Sequence, residues 1–262
     1  RSTGYGSLQI WIRYLRPGVM FREKFTASPS LWNGSALTIG GGYVWNDVYP
    51  HATSRGLVIV GGGTPTVGCI DGWMQGGGHS SATLDFGLGA DQVLQAQVVL
   101  ANGLLVTVGP LQHDQHPDLF FVIRGGGPGT YSVVVSTTVK AWPTTNVVVQ
   151  TLAFAPLTAD SIPHFMEALT DLYAAYPALS DGGWSGYGSW STASAVPVSA
   201  NFTVGYSHAI ATMSKTIEKS QVVFAPTLAK LLKYNGTSLF VAISYTEEET
   251  FADYYNAFSG IE

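Results

Sequence analysis

One cysteine in 262 residues, Cys69, rules out a framework of intramolecular disulfides. Charge is scarce as well: Asp, Glu, Lys and Arg make up 11% of the chain, and 12 basic residues against 17 acidic ones give a net charge of −5. A nucleic-acid binder normally carries a basic surplus on one face, so no nucleic-acid partner is expected. No apolar run reaches the roughly 18 residues that cross a bilayer, and no membrane partner is expected either. The first residue is Arg1 and no secretory leader precedes it, which fits a processed or truncated piece of a longer precursor.

What the chain has in quantity is glycine, 31 residues, beside 46% hydrophobic and 12% aromatic residues. That composition describes a folded protein with ample material for a core. Three Asn-x-Ser/Thr sequons, at Asn33, Asn201 and Asn235, are glycan acceptors if the chain enters a secretory pathway, and they lean the expected location towards secretion.

The order of segments predicts an α+β protein in two lobes, residues 1–145 and 146–262. "ALTIGGG" (36–42) reads as a buried strand entering a glycine turn, and 43–56 as a short amphipathic helix closed by Gly56. "LVIV" (57–60) is a further strand. Residues 91–108 are two apolar runs joined by Ala-Asn-Gly, a hairpin signal. "HPDLFFVI" (116–123) makes one or two helical turns, and "YSVVVSTTVKAW" (131–142) a strand. In the second lobe a strand at 147–157 precedes a helix over 158–179, with Thr158 as its N-cap and Pro177 near its end. A β-like aromatic stretch (182–206), a helix, the strand 238–245 and a helix opening at "TEEE" (246–249) follow.

Two glycine-crowded loops stand next to apolar strands: "GGGTPTVGCIDGWMQGGGHS" (61–80) and "RGGGPGT" (124–130). Either they make tight turns in a β-rich fold, or their bare main chain approaches a ligand and offers it N–H groups. A P-loop is excluded because no Lys follows either loop. The order Gly-x-Gly-x-x-Gly before a helix is also missing, which excludes a Rossmann fingerprint.

Four collinear stretches carry a more specific signal: "GGGYVWNDVY", "GLVIVGGGTPTVGCIDGWMQGGGHS", "GLGADQVLQAQVVLANG" and "HPDLFFVIRGGGPGTYSVVVSTTVKAWP". In order and spacing they resemble the PCMH-type FAD-binding domain of the vanillyl-alcohol-oxidase superfamily, most closely its berberine-bridge-enzyme-like oxidases from fungi. The resemblance implies a two-lobed FAD-binding domain (1–145, lacking its N-terminal part) followed by part of an α+β substrate domain (146–262). It implies a flavoprotein oxidoreductase, with a small-molecule substrate and O2 as acceptor. By the same resemblance Thr64, Pro65, Thr66, Val67 and Gly68 run along the flavin and diphosphate. Gly72, Gly76, Gly77, Gly78 and His79 shape the neighbouring loop, Gly87, Leu88, Gly89, Ala90 and Asp91 continue the contact, and Val98 lies near the adenine.

Two departures from the family pattern bear on the cofactor. Many relatives have a flavin-linking Cys where this chain has Thr64, so a cysteinyl bond is not expected. The family's His linkage would need a residue upstream of Arg1, and the C-terminal segment that returns to the FAD domain has no counterpart before Glu262. A second polypeptide completing the fold is therefore a candidate partner, and a catalytically inactive flavoprotein-derived binding protein is the alternative to an oxidase. The FAD domain of a molybdenum hydroxylase, which shares the fold, is disfavoured by the sequons and the aromatic second lobe.

Several residues keep two readings. His79 either hydrogen-bonds near the flavin or satisfies loop carbonyls; Asp91 either contacts cofactor or caps local N–H groups. Trp184, Tyr187, Trp190, Tyr206 and His208 either line a substrate cavity or build the second lobe's core. "HDQH", with His113, Asp114 and His116, reads as a solvated loop or helix start, and no metal is assigned. Tyr254 and Tyr255 read as packing or surface residues. The catalytic base is unassigned.

Overall fold

The computed structural model describes residues 4–26, 32–110, 116–192 and 203–258. The chain divides into two compact units, one running to Thr144 and taken up again at Tyr255, the other Thr145–Tyr254. The sequence analysis left everything after 146 in the second lobe; the end of the last helix belongs instead with the first unit. Tyr255 accounts for this, because its ring packs 4.3 Å from that of Tyr49.

The first unit is built on a five-stranded antiparallel sheet in the order β1-β2-β6-β4-β5, from β1 (Val19–Arg22), β2 (Ala36–Gly40), β4 (Val93–Val99), β5 (Leu105–Val108) and β6 (Val133–Lys140). The predicted hairpin is β4–β5, turning at Asn102-Gly103 with Gly103 at φ +85°. β2 turns Leu37 and Ile39 to one face of the sheet, fully buried, and Thr38 to the other. Helix α1 (Trp45–Thr53) buries Trp45, Val48, Tyr49 and Ala52, and Gly56 follows it at φ +65°. Of the strand predicted at 57–60 only β3 (Leu57–Val58) pairs, with β7 (Trp142–Pro143); Ile59 and Val60 are buried but leave the ladder to enter the glycine loop. Helix α2 is Thr83–Phe86, and α3 (Pro117–Ile123) opens on the Pro that follows His116.

In the second unit a four-stranded antiparallel sheet runs β11-β8-β10-β9, from β8 (Val147–Pro156), β9 (Ser185–Ser191), β10 (Gly205–Met213) and β11 (Leu239–Glu248). Helices α4 (Ile162–Asp181) and α5 (Ile217–Leu232) pack on it. α4 turns Phe165, Ala168, Leu169 and Leu172 inward at helical spacing, and with Phe154, Tyr206, Phe224 and Leu231 they form the core. A fully buried side chain of this kind contributes about 1.5–3 kcal/mol over leaving it in water.

Two boundary predictions differ from the structure. Thr158 precedes a short 3-10 turn and bonds Ser161 Oγ at 3.1 Å, so α4 itself starts at Ile162 and continues through Pro177 to Asp181. Thr216, not singled out beforehand, caps α5 by accepting from Lys219 N. Glu247 and Glu248 extend β11 because their backbones pair with Val148 and Val147; helix α6 (Phe251–Phe258) starts later, behind Thr250, whose Oγ1 receives Asp253 N.

Candidate cofactor-binding loop

The loop at 61–68 is arranged by what holds its carbonyl groups. Tyr49 donates its hydroxyl to Gly62 O at 2.8 Å, and Tyr255 donates to Gly63 O at 3.1 Å. The start of α1 supplies the next donors: Asn46 N to Pro65 O at 2.9 Å and Trp45 N to Val67 O at 3.1 Å. Within the loop, Val67 N reaches Thr64 O. A trans peptide is planar, with its N–H opposite its C=O. Fixing the carbonyls of Gly62, Gly63, Pro65 and Val67 into the protein therefore turns the N–H groups of Gly63, Thr64, Thr66 and Gly68 the other way. None of those four N–H groups donates to an acceptor among the described residues. A run of free N–H groups is an anion-binding surface.

The glycines divide into two kinds. A Cβ on Gly62 would lie 2.9 Å from Trp45 Nε1; one on Gly78 would lie 2.8 Å from the Trp73 ring, and one on Gly89 2.3 Å from it. These glycines, with Gly61 beside Trp45 and Tyr49, make room for two indoles of the protein itself, which is a reason for bare main chain there besides a ligand. Gly63, Gly72 and Gly77 face open space within 4 Å, and the only atom near a Gly68 Cβ is Asp71 Oδ2 at 3.9 Å. Those four, with Gly125, Gly127 and Gly129 of the second glycine loop, leave room for a ligand.

A π-turn (Cys69–Trp73), broken at Asp71, follows the loop. The Cys69 thiol is fully buried and burial pushes its pKa well up, so it is not a free nucleophile. Burial likewise pushes the Asp71 carboxyl up to about 7. The turn then brings together stretches far apart in sequence: Gly89 N donates to Gly78 O at 2.7 Å, Ala90 N to Gly77 O at 2.9 Å, and Gly127 N to Gln75 O at 2.9 Å. The two glycine loops thus meet.

On one face of the five-stranded sheet, a cavity of about 270 Å³ is lined by Gly40, Thr38, Gln95, Gln97, Ser136 and Thr138, with Arg22 and Met20 at one side. Its polar groups pair with one another, Thr38 Oγ1 with Thr138 Oγ1 at 2.8 Å and Ser136 Oγ with Gln97 Oε1 at 3.0 Å. Only residues 41–43 separate β2, which lines the cavity, from Val44, which bridges to Gly68.

The remaining sequence candidates fall out as follows. Asp91 accepts from Leu88 N at 2.9 Å and faces Arg124 at 3.7 Å, so it caps its own turn. Leu88 and His79 are exposed. Val98 is fully buried; Gln97 beside it lines the cavity, so strand alternation turns Val98 into the packed face. Trp184, Tyr206 and His208 are buried beneath α4 and α5, whereas Tyr187 and Trp190 are exposed, 59% and 56%. The register pairs Trp190 with Tyr206 but Tyr187 with Ala209, placing the two on opposite faces of the sheet. These five do not line one cavity. Asn33 and Asn235 are exposed; Asn201, His113 and Asp114 lie outside the described residues.

Sequence reasoning missed Tyr49 and Tyr255 as parts of the loop. Tyr49 showed only as an apolar helix position, and the contact to Tyr255 spans 192 residues.

The antiparallel sheet and the loop of outward N–H groups belong to the first unit, and the second is a separate α+β unit. The profile of the FAD-binding domain family matches residues 28–109. FAD-linked oxidoreductase apf9 of Gibberella fujikuroi is 40% identical over 270 residues, covering 100% of this chain and 46% of the relative. FAD-linked oxidoreductase hmp9 of Hypomyces subiculosus is 38% identical over 267 residues, 100% of this chain and 42% of the relative. The crystal structure of the VAO-type flavoprotein MtVAO713 from Myceliophthora thermophila C1 superposes with a TM-score of 0.90 at 39% identity, over 98% of this chain and 45% of that one. Berberine bridge enzyme from Eschscholzia californica shares the fold, with a TM-score of 0.64 at 18% identity over 87% of this chain and 41% of that one. The chain thus matches FAD-linked oxidoreductases and a VAO-type flavoprotein along its whole length, and shares its fold with berberine bridge enzyme. It spans less than half the length of the curated relatives named here.

Proposed function

We propose that the protein of which this chain is a part is an FAD-dependent oxidase. It would take a hydride from a C–H of an alcohol, a sugar or a specialised metabolite and pass the electrons on to O2. The observation that carries this reading is the loop in which the carbonyls of Gly62, Gly63, Pro65 and Val67 are tied inward while the N–H groups of Gly63, Thr64, Thr66 and Gly68 face out. That donor set fits an anionic cofactor, and the open faces of Gly63, Gly68, Gly72 and Gly77 fit a close approach of its bulk. Bound there, FAD supplies the electron-pair acceptor. The chain's own contribution is to hold that group in a fixed field of N–H dipoles, which favours negative charge without reorganisation.

The linkage we propose is not through cysteine: Thr64 has no thiol and the Cys69 thiol is enclosed. A covalent bond would require a His upstream of Arg1. We also propose passage through a secretory pathway, supported by the exposed sequons at Asn33 and Asn235. No described helix is long and apolar enough to cross a membrane.

The test uses purified full-length protein. The flavin absorbance band is expected to bleach on anaerobic addition of a substrate from an alcohol and sugar panel, and to return on admitting air with release of H2O2. Protein without flavin absorbance, and without FAD uptake on reconstitution, would overturn the reading.

A further inference from the structure

Two hydroxyls reach the cofactor loop from opposite ends of the sequence. Tyr49, on α1, is almost fully buried, and burial holds its phenol well above the ordinary value, so it remains a neutral donor across the working range. Tyr255, on α6, is 9% exposed and its phenol is also pushed up by burial. Their rings pack 4.3 Å apart, and their hydroxyls take successive carbonyls, Gly62 O and Gly63 O. Glycine has no Cβ to bias its peptide planes, and Gly62 and Gly63 lie outside any ladder that would do so. The two hydroxyls are therefore what fixes the direction of the next two N–H groups, those of Gly63 and Thr64.

We propose that Tyr49 and Tyr255 are positioning residues of the flavin site: by holding two adjacent carbonyls they aim two adjacent N–H groups at negative charge on the cofactor. This rests on the FAD reading above. The charge faced is either that of the diphosphate or that which builds on the ring system when it accepts an electron pair. Neither tyrosine touches the reacting atoms, and both act through the main chain they grip.

The experiment compares the full-length protein with Tyr49→Phe, Tyr255→Phe and the double variant, each keeping its ring. Two readings separate the sources of charge. If the N–H groups face the ring system, each lost hydroxyl lowers the two-electron midpoint potential by the equivalent of a tenfold change in the reduction equilibrium, about 30 mV. If they face the diphosphate, the potential stays and the 31P resonances of the bound cofactor shift. Both readings are independent of whether the flavin is covalently attached. Either change supports the proposal. A double variant with flavin bound, an unshifted potential and unshifted 31P resonances overturns it, and so does a parent protein that never holds flavin, which removes the FAD reading with it. Should the Tyr49 variants fail to fold, Tyr255→Phe alone carries the same two measurements, and no change in either overturns the assignment.

Discussion

The two units place polar groups differently, paired inside the core in one and turned out along a surface loop in the other. In the second, a chain of side chains beneath α4 and α5 is closed end to end. Gln150 Oε1 can only accept, so His208 Nε2 donates to it at 2.8 Å. Neutral His208 then accepts at Nδ1 from the Tyr206 hydroxyl at 3.1 Å, Tyr206 takes its own hydrogen bond from Tyr176, and Gln150 Nε2 donates to Tyr245 at 2.8 Å. Every member has a partner, and the network belongs to the core. In the first unit the loop ties down the carbonyls of Gly62, Gly63, Pro65 and Val67 and turns the N–H groups of Gly63, Thr64, Thr66 and Gly68 outward. A satisfied buried network specifies a fold, whereas outward N–H groups leave donors on offer to something from outside.

The sharpest way to break this comparison is to put a methyl group where the first unit has none to spare. Gly89→Ala drives a Cβ into the Trp73 ring, and about 3 kcal/mol of stability is expected to go, read by denaturant unfolding. A comparable effect is expected from acid on the second unit. Burial lowers the His208 pKa to about 4, against 6.5 when unfolded, so between those values the unfolded chain binds more protons. Stability is complete above pH 6.5 and falls by about 3 kcal/mol as the pH drops towards 4. His208→Phe should flatten that slope, at the cost of about 2 kcal/mol at pH 7 from the stranded Gln150 oxygen. Unfolding curves across pH 4–8 check both.

Asp71 carries the opposite sign. Its folded pKa of about 7 lies above the unfolded value, so its contribution is intact below pH 4 and is lost as the pH rises through 7. Asp71→Asn is expected to match the parent at pH 4 and to exceed it by about 2 kcal/mol at pH 8, a figure reduced for the partial exposure of the carboxyl. The smallest change in stability belongs to Gly72→Ala, whose Cβ meets nothing within 4 Å. Unfolding should move by less than about 0.5 kcal/mol, while flavin content of the full-length protein drops. Equal stability losses at Gly72 and Gly89 would erase the division of the glycines into two kinds.

Much of this fold was legible in the sequence because its signals are local. Alternation gave β4 and β5 with their Asn-Gly turn, period 3.6 gave α4 and α5, and glycine crowding marked both loops. The loops' purpose was only half legible: bare glycine looks the same whether an indole or a ligand fills the gap, and Trp73 stands five residues before Gly78 and sixteen before Gly89.

 Nothing in the spacing of Trp73, Gly78 and Gly89 announces that the three meet. The Tyr255 contact was illegible for the same reason, since it joins two ends of the first unit across 192 residues. The aromatic cluster of the second unit was ambiguous because alternation places side chains on faces without saying which face the helices cover. Trp184, Tyr206 and His208 went under the helices, while Tyr187 and Trp190 stayed exposed.

The close seating of Trp73 against Gly78 and Gly89 has a consequence for how this loop can vary. Neither glycine can gain a side chain unless the indole shrinks, and a smaller ring at 73 would leave a void over both. Changes at these three positions should therefore be tolerated only in combination, so that the sequence around the loop drifts in matched sets and not one residue at a time.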